Sequence, residues 1–228
     1  MKIVFDKVTK SWGEIAALKD LSFKIKPGEF LFIVGPSGSG KTTILRLILS
    51  ELKPSEGEIE VGDHSLTKAK KKQIDLNRRQ IGVIFQDYRL IKDKTVRENI
   101  EIALDITGHP KKSWPELIEK AATRTEISNR LNFFPSQLSG GEKQRASLAR
   151  SLAIAPRLIL ADEPTGNLDP KSAWQLMALL RKINTQDKTT IIMTTHNSDI
   201  VNNMHLRVIR LSEGKILSDK GRGSYPKE

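Results

Sequence analysis

Apolar and polar positions alternate from the first residues of the chain. Met1-Lys2-Ile3-Val4-Phe5 opens directly in a strand pattern, and residues 2–9 and 18–26 are expected to form two strands joined by a short turn around Gly13. Lys26-Pro27-Gly28-Glu29 is a turn signal. Phe30-Leu31-Phe32-Ile33-Val34 then runs without a polar residue, as in a strand covered on both faces. A glycine-rich loop, Gly35 to Gly40, leads into helical periodicity over 41–51 through Ile44, Leu45, Leu47 and Ile48. Strands are expected at Glu58–Val61 and Ile81–Phe85. From about 90 to 155 the pattern is mostly helical, with Pro110, Pro115 and Pro135 as breaks. Leu158–Ala161 returns to buried strand, 171–184 to helix and Thr189–Thr194 to strand. Ile209–Leu211 and Lys215–Leu217 read as a closing hairpin around Gly214. Strands alternating with helices predict an α/β sheet, with the helical middle inserted between its two halves.

The 228 residues suit a single domain spanning 1–228, with about 220–228 as a loose tail. No apolar run reaches the length needed to cross a bilayer, and the N-terminus lacks the layout of a secretory signal. With no cysteine there is neither disulfide nor thiolate metal site, and cytosol is the simplest location. The net charge of +11 (38 basic, 27 acidic) favours anionic partners. Its densest patch is Lys68, Lys70, Lys71 and Lys72, followed by Arg78 and Arg79, and it reads first as a solvated helix face. Aromatic residues make up 5% of the chain and none interleave with the patch, which argues against stacking on nucleic-acid bases.

Gly35-Pro36-Ser37-Gly38-Ser39-Gly40-Lys41-Thr42 fits G-x-x-x-x-G-K-[ST] at every fixed position. It lies between an apolar strand and a helix, the context the motif requires. Glycines let the backbone approach a phosphate chain, and the first N–H groups of the helix lack internal partners and can donate to an anion. Lys41 adds a positive charge at the β- and γ-phosphates, and the Thr42 hydroxyl can ligate Mg²⁺. Thr43 completes the loop's candidate contacts.

Ala161-Asp162-Glu163 puts two carboxylates at the C-terminal end of a buried strand, where ligands of open α/β sheets collect. Asp162 is the candidate for holding Mg²⁺, through water, and Glu163 for deprotonating the attacking water. Leu138-Ser139-Gly140-Gly141-Glu142 precedes a helix expected from near Glu142 to about Ala153, and Ser139 and Glu142 have capping-box spacing. The glycines inside that cap suit a second close approach to an anion. One chain then has two phosphate-binding helix ends but one lysine-bearing loop. A symmetric dimer resolves this if each ATP lies between one copy's phosphate loop and the partner copy's serine-glycine turn.

Leu138-Ser139-Gly140-Gly141-Glu142 resembles the signature motif of the ABC ATPases, in the right order between the other motifs, and the resemblance covers nearly the whole chain. It implies a P-loop NTPase fold with a RecA-like core, an antiparallel β subdomain and a helical subdomain inserted at about 90–155. It implies an ATPase that uses ATP and Mg²⁺ and dimerises on binding ATP. Ser139, Gly140, Gly141, Glu142 and Asp169 would then reach the partner copy's nucleotide, Asp169 from a loop that Asn167-Leu168-Asp169 resembles. Phe85-Gln86-Asp87 looks like the glutamine loop, Gln86 sensing Mg²⁺ and the water. His196 resembles the switch histidine at the γ-phosphate, and Trp12 stands where the family has an aromatic on adenine. Taken singly, His196 also fits an ordinary strand-end histidine and Trp12 a core anchor. Thr42 replaces a common Ser and Asn197 a common Asp.

A transporter-type cassette without a membrane domain must borrow one from a separate integral membrane subunit, docking near the glutamine loop and helical insertion. Arg78–Asp87, Lys94–Asn99, Arg207–Leu211, Gly214, Asp219 and Arg222–Tyr225 are similar to the cell-division branch of the family. That branch implies a cytoplasmic ATPase on the inner face of the cell membrane, moving its membrane partner to control cell-wall hydrolases. Lipoprotein-release and macrolide-export cassettes share the main motifs. Nucleic-acid-linked members carry long coiled coils or paired cassettes, which 228 residues without heptad runs do not fit.

Overall fold

The computed structural model describes residues 1–225. β1 (Ile3–Trp12) and β2 (Ile15–Ile25) form a long hairpin turning at Gly13. Both are longer than expected because their ladder continues to Trp12 opposite Ile15, past the alternating apolar positions. β3 (Phe30–Val34) is buried throughout and leads through the glycine loop into α1 (Lys41–Ile48). β4 (Glu56–Val61), β5 (His64–Ser65) and α2 (Lys71–Arg78) follow, then β6 (Ile81–Phe85).

The helical middle consists of α3 (Val96–Thr107), α4 (Trp114–Arg124) and α5 (Gly140–Ala153), with one 3₁₀ turn between α3 and α4 and two between α4 and α5. Thr95 caps α3 and Glu98 returns the bond, while Gly108 closes it in the left-handed region. Pro115 does not break a helix: it sits in the first turn of α4, where its missing N–H costs nothing. α5 begins at Gly140, two residues before the expected start. Glycine's poor helix propensity hides a first turn that the Ser139 cap fixes.

β7 (Leu158–Asp162), α6 (Pro170–Asp187), β8 (Thr190–Thr194), α7 (Ser198–Met204), β9 (Arg207–Ser212) and β10 (Lys215–Lys220) complete the chain. α7 and β5 are too short to leave a period in the sequence. The C-terminal stretch from about 220, expected to be loose, is held as far as it is described. Gly223 N–H donates to Leu206 O and Tyr225 N–H to Asn202 Oδ1, while 226–228 lie outside the described residues.

Two sheets carry these elements. One is antiparallel, in the order β2-β1-β4-β5; the other runs β10-β9-β3-β8-β7-β6, parallel except for β10. The apolar strands divide by parity. Phe30, Phe32, Val34, Ile159, Ala161, Ile191 and Met193 face the core shared with α3–α6. Leu31, Ile33, Leu158, Leu160 and Ile192 face the core shared with α1 and the antiparallel sheet. Each fully buried large side chain contributes about 1.5–3 kcal/mol, so the uninterrupted apolar runs read in sequence stabilise both faces. The α/β architecture expected from the resemblance is the one found.

Candidate functional site

The placement of the candidate site residues follows from strand register. β3, β8, β7 and β6 are parallel neighbours, pairing Ile33 with Thr194, Thr194 with Asp162, and Asp162 with Phe85. Their carboxyl ends therefore lie at one edge, and the next residues of each strand are Gly35, Thr195-His196, Glu163 and Gln86. A cavity of about 500 Å³ opens there, lined among others by Gly35–Gly38, Lys41–Thr43, Gln86, Glu163, His196 and Tyr225.

The phosphate loop is shaped for close approach. Gly40 has φ 102, and a Cβ there would lie 2.5 Å from Leu18 Cδ2 and 2.8 Å from Ala17 O. No side chain caps α1, whereas Thr95, Ser139, Asp169 and Asn197 cap α3, α5, α6 and α7. The first N–H groups of α1 are thus left for an anion. Lys41 Nζ donates to Gly35 O at 2.8 Å and Pro36 O at 3.0 Å, so its charge is held at the loop. The hydroxyl of Ser39 is buried without a protein partner.

Beside the loop, Thr42 Oγ1 donates to the Asp162 carboxylate at 3.2 Å and 3.3 Å. Thr194 Oγ1 donates to Asp162 Oδ1 at 2.6 Å and accepts from Glu163 N–H at 3.1 Å. Glu163 has φ 49, a conformation that costs a non-glycine residue of order 1–3 kcal/mol and concentrates at working sites. Its Oε2 accepts from His196 N–H at 3.3 Å and lies 2.7 Å from His196 Nδ1, a contact that needs a proton on Nδ1. The Thr42–Asp162 pair is a set of hard oxygen donors, the type Mg²⁺ takes when phosphates and waters supply the rest.

The serine-glycine turn stands apart: Ser139, Gly140 and Gly141 do not line this cavity. Ser139 and Glu142 form the reciprocal capping box that their spacing predicts. Glu142 also binds Arg130 Nε at 2.7 Å. The Ser139 N–H, and next the Arg130 guanidinium, lower its pKa to about 2. Its carboxylate is thus engaged within its own chain, positioning the turn. The glycines also have a reason within the protomer. A Cβ on Gly140 would lie 3.1 Å from Tyr88 Oη, and one on Gly141 2.9 Å from Ser172 Oγ.

Tyr88 and Arg89 follow the glutamine loop in consecutive left-handed conformations, and their carbonyls accept from Arg150 of α5. Gln86 and Asn167 exchange hydrogen bonds, Gln86 Nε2 to Asn167 Oδ1 and Asn167 Nδ2 to Gln86 O. Asp169 caps α6 by accepting from Ser172 N–H. Trp12 is half-exposed at the end of β1, with Lys10 Nζ 5.3 Å from its ring, and does not line the cavity. Thr194, Tyr88 and Arg130 escaped the sequence reading as site residues, while Asn167 and Tyr225 were read only as parts of the segments Asn167–Asp169 and Arg222–Tyr225. Of the first three, only Thr194 carried a signal, in the Thr194-Thr195-His196 run at a strand end.

Comparison with known proteins agrees with this geometry. The family described as ABC transporter matches residues 18–166, a span holding the phosphate loop, Gln86, the serine-glycine turn and both acids. The cell division ATP-binding protein FtsE of Streptococcus pneumoniae (serotype 2, strain D39) is 43% identical over 220 residues, covering 96% of this chain and 95% of its own. FtsE of Bacillus subtilis strain 168 is 43% identical over 211 residues, covering 92% of each. Among solved structures, a dimeric post-hydrolysis state of an ATP-binding cassette bound to ADP and Pi superposes with a TM-score of 0.86 at 34% identity. It covers 98% of this chain and 100% of that one. A dimeric bacterial ABC transporter cassette gives 0.87 at 35% identity, with the same coverage. With the motifs converging on one sheet edge and relatives matching nearly end to end, this chain belongs to the ABC transporter family.

Proposed function

We propose that the protein binds and hydrolyses ATP with Mg²⁺ as one half of a homodimer, in the manner of FtsE. The observation that carries this is the convergence of Lys41, Thr42, Glu163 and His196 on one cavity, with Asp162 bonded to Thr42 beside it, that the Ser139–Gly141 turn of the same chain does not line. A second copy can bring its own turn to the open side, and the dimeric cassettes similar to this chain support that arrangement. Gly35–Thr43 would wrap the phosphates, with Lys41 exchanging two backbone carbonyls for phosphate oxygens. Trp12, half-exposed at the end of β1 in the antiparallel sheet, would stack on adenine.

Mg²⁺ held by Thr42 and Asp162 would neutralise charge on the phosphates. Gln86 lies at the same edge to orient the water and the metal's shell. Glu163 takes a proton from the water as its oxygen bonds to the γ-phosphorus and ADP leaves. A positioned base of this kind is worth about 10²–10⁴ in rate. His196 leaves Glu163 to donate to the terminal phosphate. Asp169 and Glu142 would serve the seam from the helix starts they cap.

The membrane partner would be an FtsX-like subunit, so that ATP cycling at the cytoplasmic face of the membrane regulates cell-wall hydrolysis during division. Among the described residues no helix is long and apolar enough to cross a membrane. A groove of about 640 Å³ between β6, α2, α3 and α5 offers the docking site, with Phe85, Ile91, Ile102 and Ile106 as its apolar side and Arg78 and Arg79 as its basic side. It adjoins Gln86, so nucleotide state and partner position can be linked. The test is paired. Lys41→Ala should lose ATP binding, and Glu163→Gln should bind ATP, stop turnover and recover the membrane subunit from solubilised membranes. Normal ATP affinity in the first or normal hydrolysis in the second contradicts the reading. Recovery of lipoprotein-sorting permeases would replace FtsX as the partner.

A further inference from the structure

The C-terminal segment 221–225 is positioned by three contacts. Gly223 is buried, and its N–H donates to Leu206 O at 2.9 Å. A Cβ at Gly223 would lie 2.6 Å from Val208 Cβ, so only glycine lets the chain lie this close to β9. Two residues on, Tyr225 N–H donates to Asn202 Oδ1 at 2.7 Å. Leu206 lies beyond the end of α7 and Asn202 within it, so the segment climbs beside α7 towards Ser198 and His196. The half-buried Tyr225 side chain packs on the main core and lines the phosphate-loop cavity, where it is the sole aromatic residue among those that do.

We propose that Tyr225 is a nucleotide-binding residue whose phenol donates a hydrogen bond to the terminal phosphate of ATP from the side of the switch histidine. This rests on the reading of the cavity as the nucleotide site. The chemistry fits the place. A phenolic O–H is an uncharged donor, and its bond to a phosphate oxygen is charge-assisted. It adds recognition at the Glu163–His196 end of the cavity without another cation. Because the segment approaches beside α7, which follows His196, and not from the Trp12 side, Tyr225 should favour ATP over ADP.

The test is Tyr225→Phe in the full chain, with ADP and a non-hydrolysable ATP analogue titrated calorimetrically in Mg²⁺. Loss of one hydrogen bond to a charged group should weaken the analogue about tenfold or more, leaving ADP affinity and the thermal midpoint unchanged. Gly223→Val, remote from the cavity, should weaken the analogue similarly by lifting the segment. Analogue affinity equal to or tighter than wild type in either variant overturns the proposal. Lys41→Ala separates the two readings. If it loses both nucleotides while Tyr225→Phe binds normally, only the Tyr225 role falls. If Lys41→Ala itself binds normally, the nucleotide site and this inference fall together.

Discussion

Thr194 holds two neighbours at once: its hydroxyl donates to Asp162 and accepts from the Glu163 backbone. It is buried, so neither bond can be replaced by water. Both acids were legible in the sequence because they end an apolar strand, whereas Thr194 was hidden among polar residues closing a different strand. Only the parallel pairing of β7 with β8 brings them together. Thr194→Val keeps the shape and removes the hydroxyl. If the Thr42–Asp162 pair holds Mg²⁺, losing this supporting bond should raise the Mg²⁺ concentration needed for hydrolysis by about 10–100-fold. A titration of ATPase rate against Mg²⁺ decides this, and an unchanged requirement would separate Thr194 from the metal.

At the scale of elements, α5 joins two loops, with Gly140 at its start and Arg150 in its last turn. Gly140 packs under Tyr88 and Asn167, Arg150 holds the carbonyls after the glutamine loop, and Gln86 is bonded to Asn167. The capping box was readable from the Ser139–Glu142 spacing, but its third partner, Arg130, comes from another element and left no sequence trace. Glu142 titrates in the fold at about 2 against an ordinary 4.5, so its ionised form stabilises the fold above pH 4.5, and that contribution is lost as pH falls towards 2. Glu142→Gln should therefore be less stable than wild type by a constant margin above pH 4.5, the two urea midpoints converging below it. A margin that persists at pH 2 would assign the effect to shape instead of charge.

α2 carries Lys71 and Lys72 and delivers Arg78 and Arg79 to the groove proposed for docking. If this face meets an anionic membrane, neutralising Lys70, Lys71 and Lys72 should weaken binding to anionic vesicles or to the membrane subunit. The soluble ATPase rate should stay within about twofold, since surface charges beyond a Debye length are largely screened. A selective loss of DNA binding would point to nucleic acid as the partner.

At the scale of the molecule, the two cores and the sheet edge were legible because uninterrupted apolar strands and a phosphate loop leave few alternatives. Strand order, the short α7 and the return of the C-terminal segment to the cavity were not, because long-range pairing sets them. The same edge leaves Lys41 at a cavity that Ser139 of the same chain does not line, and in the proposed dimer a second copy would complete the site. Light scattering of Glu163→Gln at saturating Mg²⁺ and ATP measures this directly. The account predicts a shift from the 25.6 kDa chain to twice that mass. Adding Ser139→Arg should return it to a monomer that still holds one ATP per chain. A Glu163→Gln protein that stays monomeric with ATP bound, or a dimer indifferent to Ser139→Arg, would contradict the shared site.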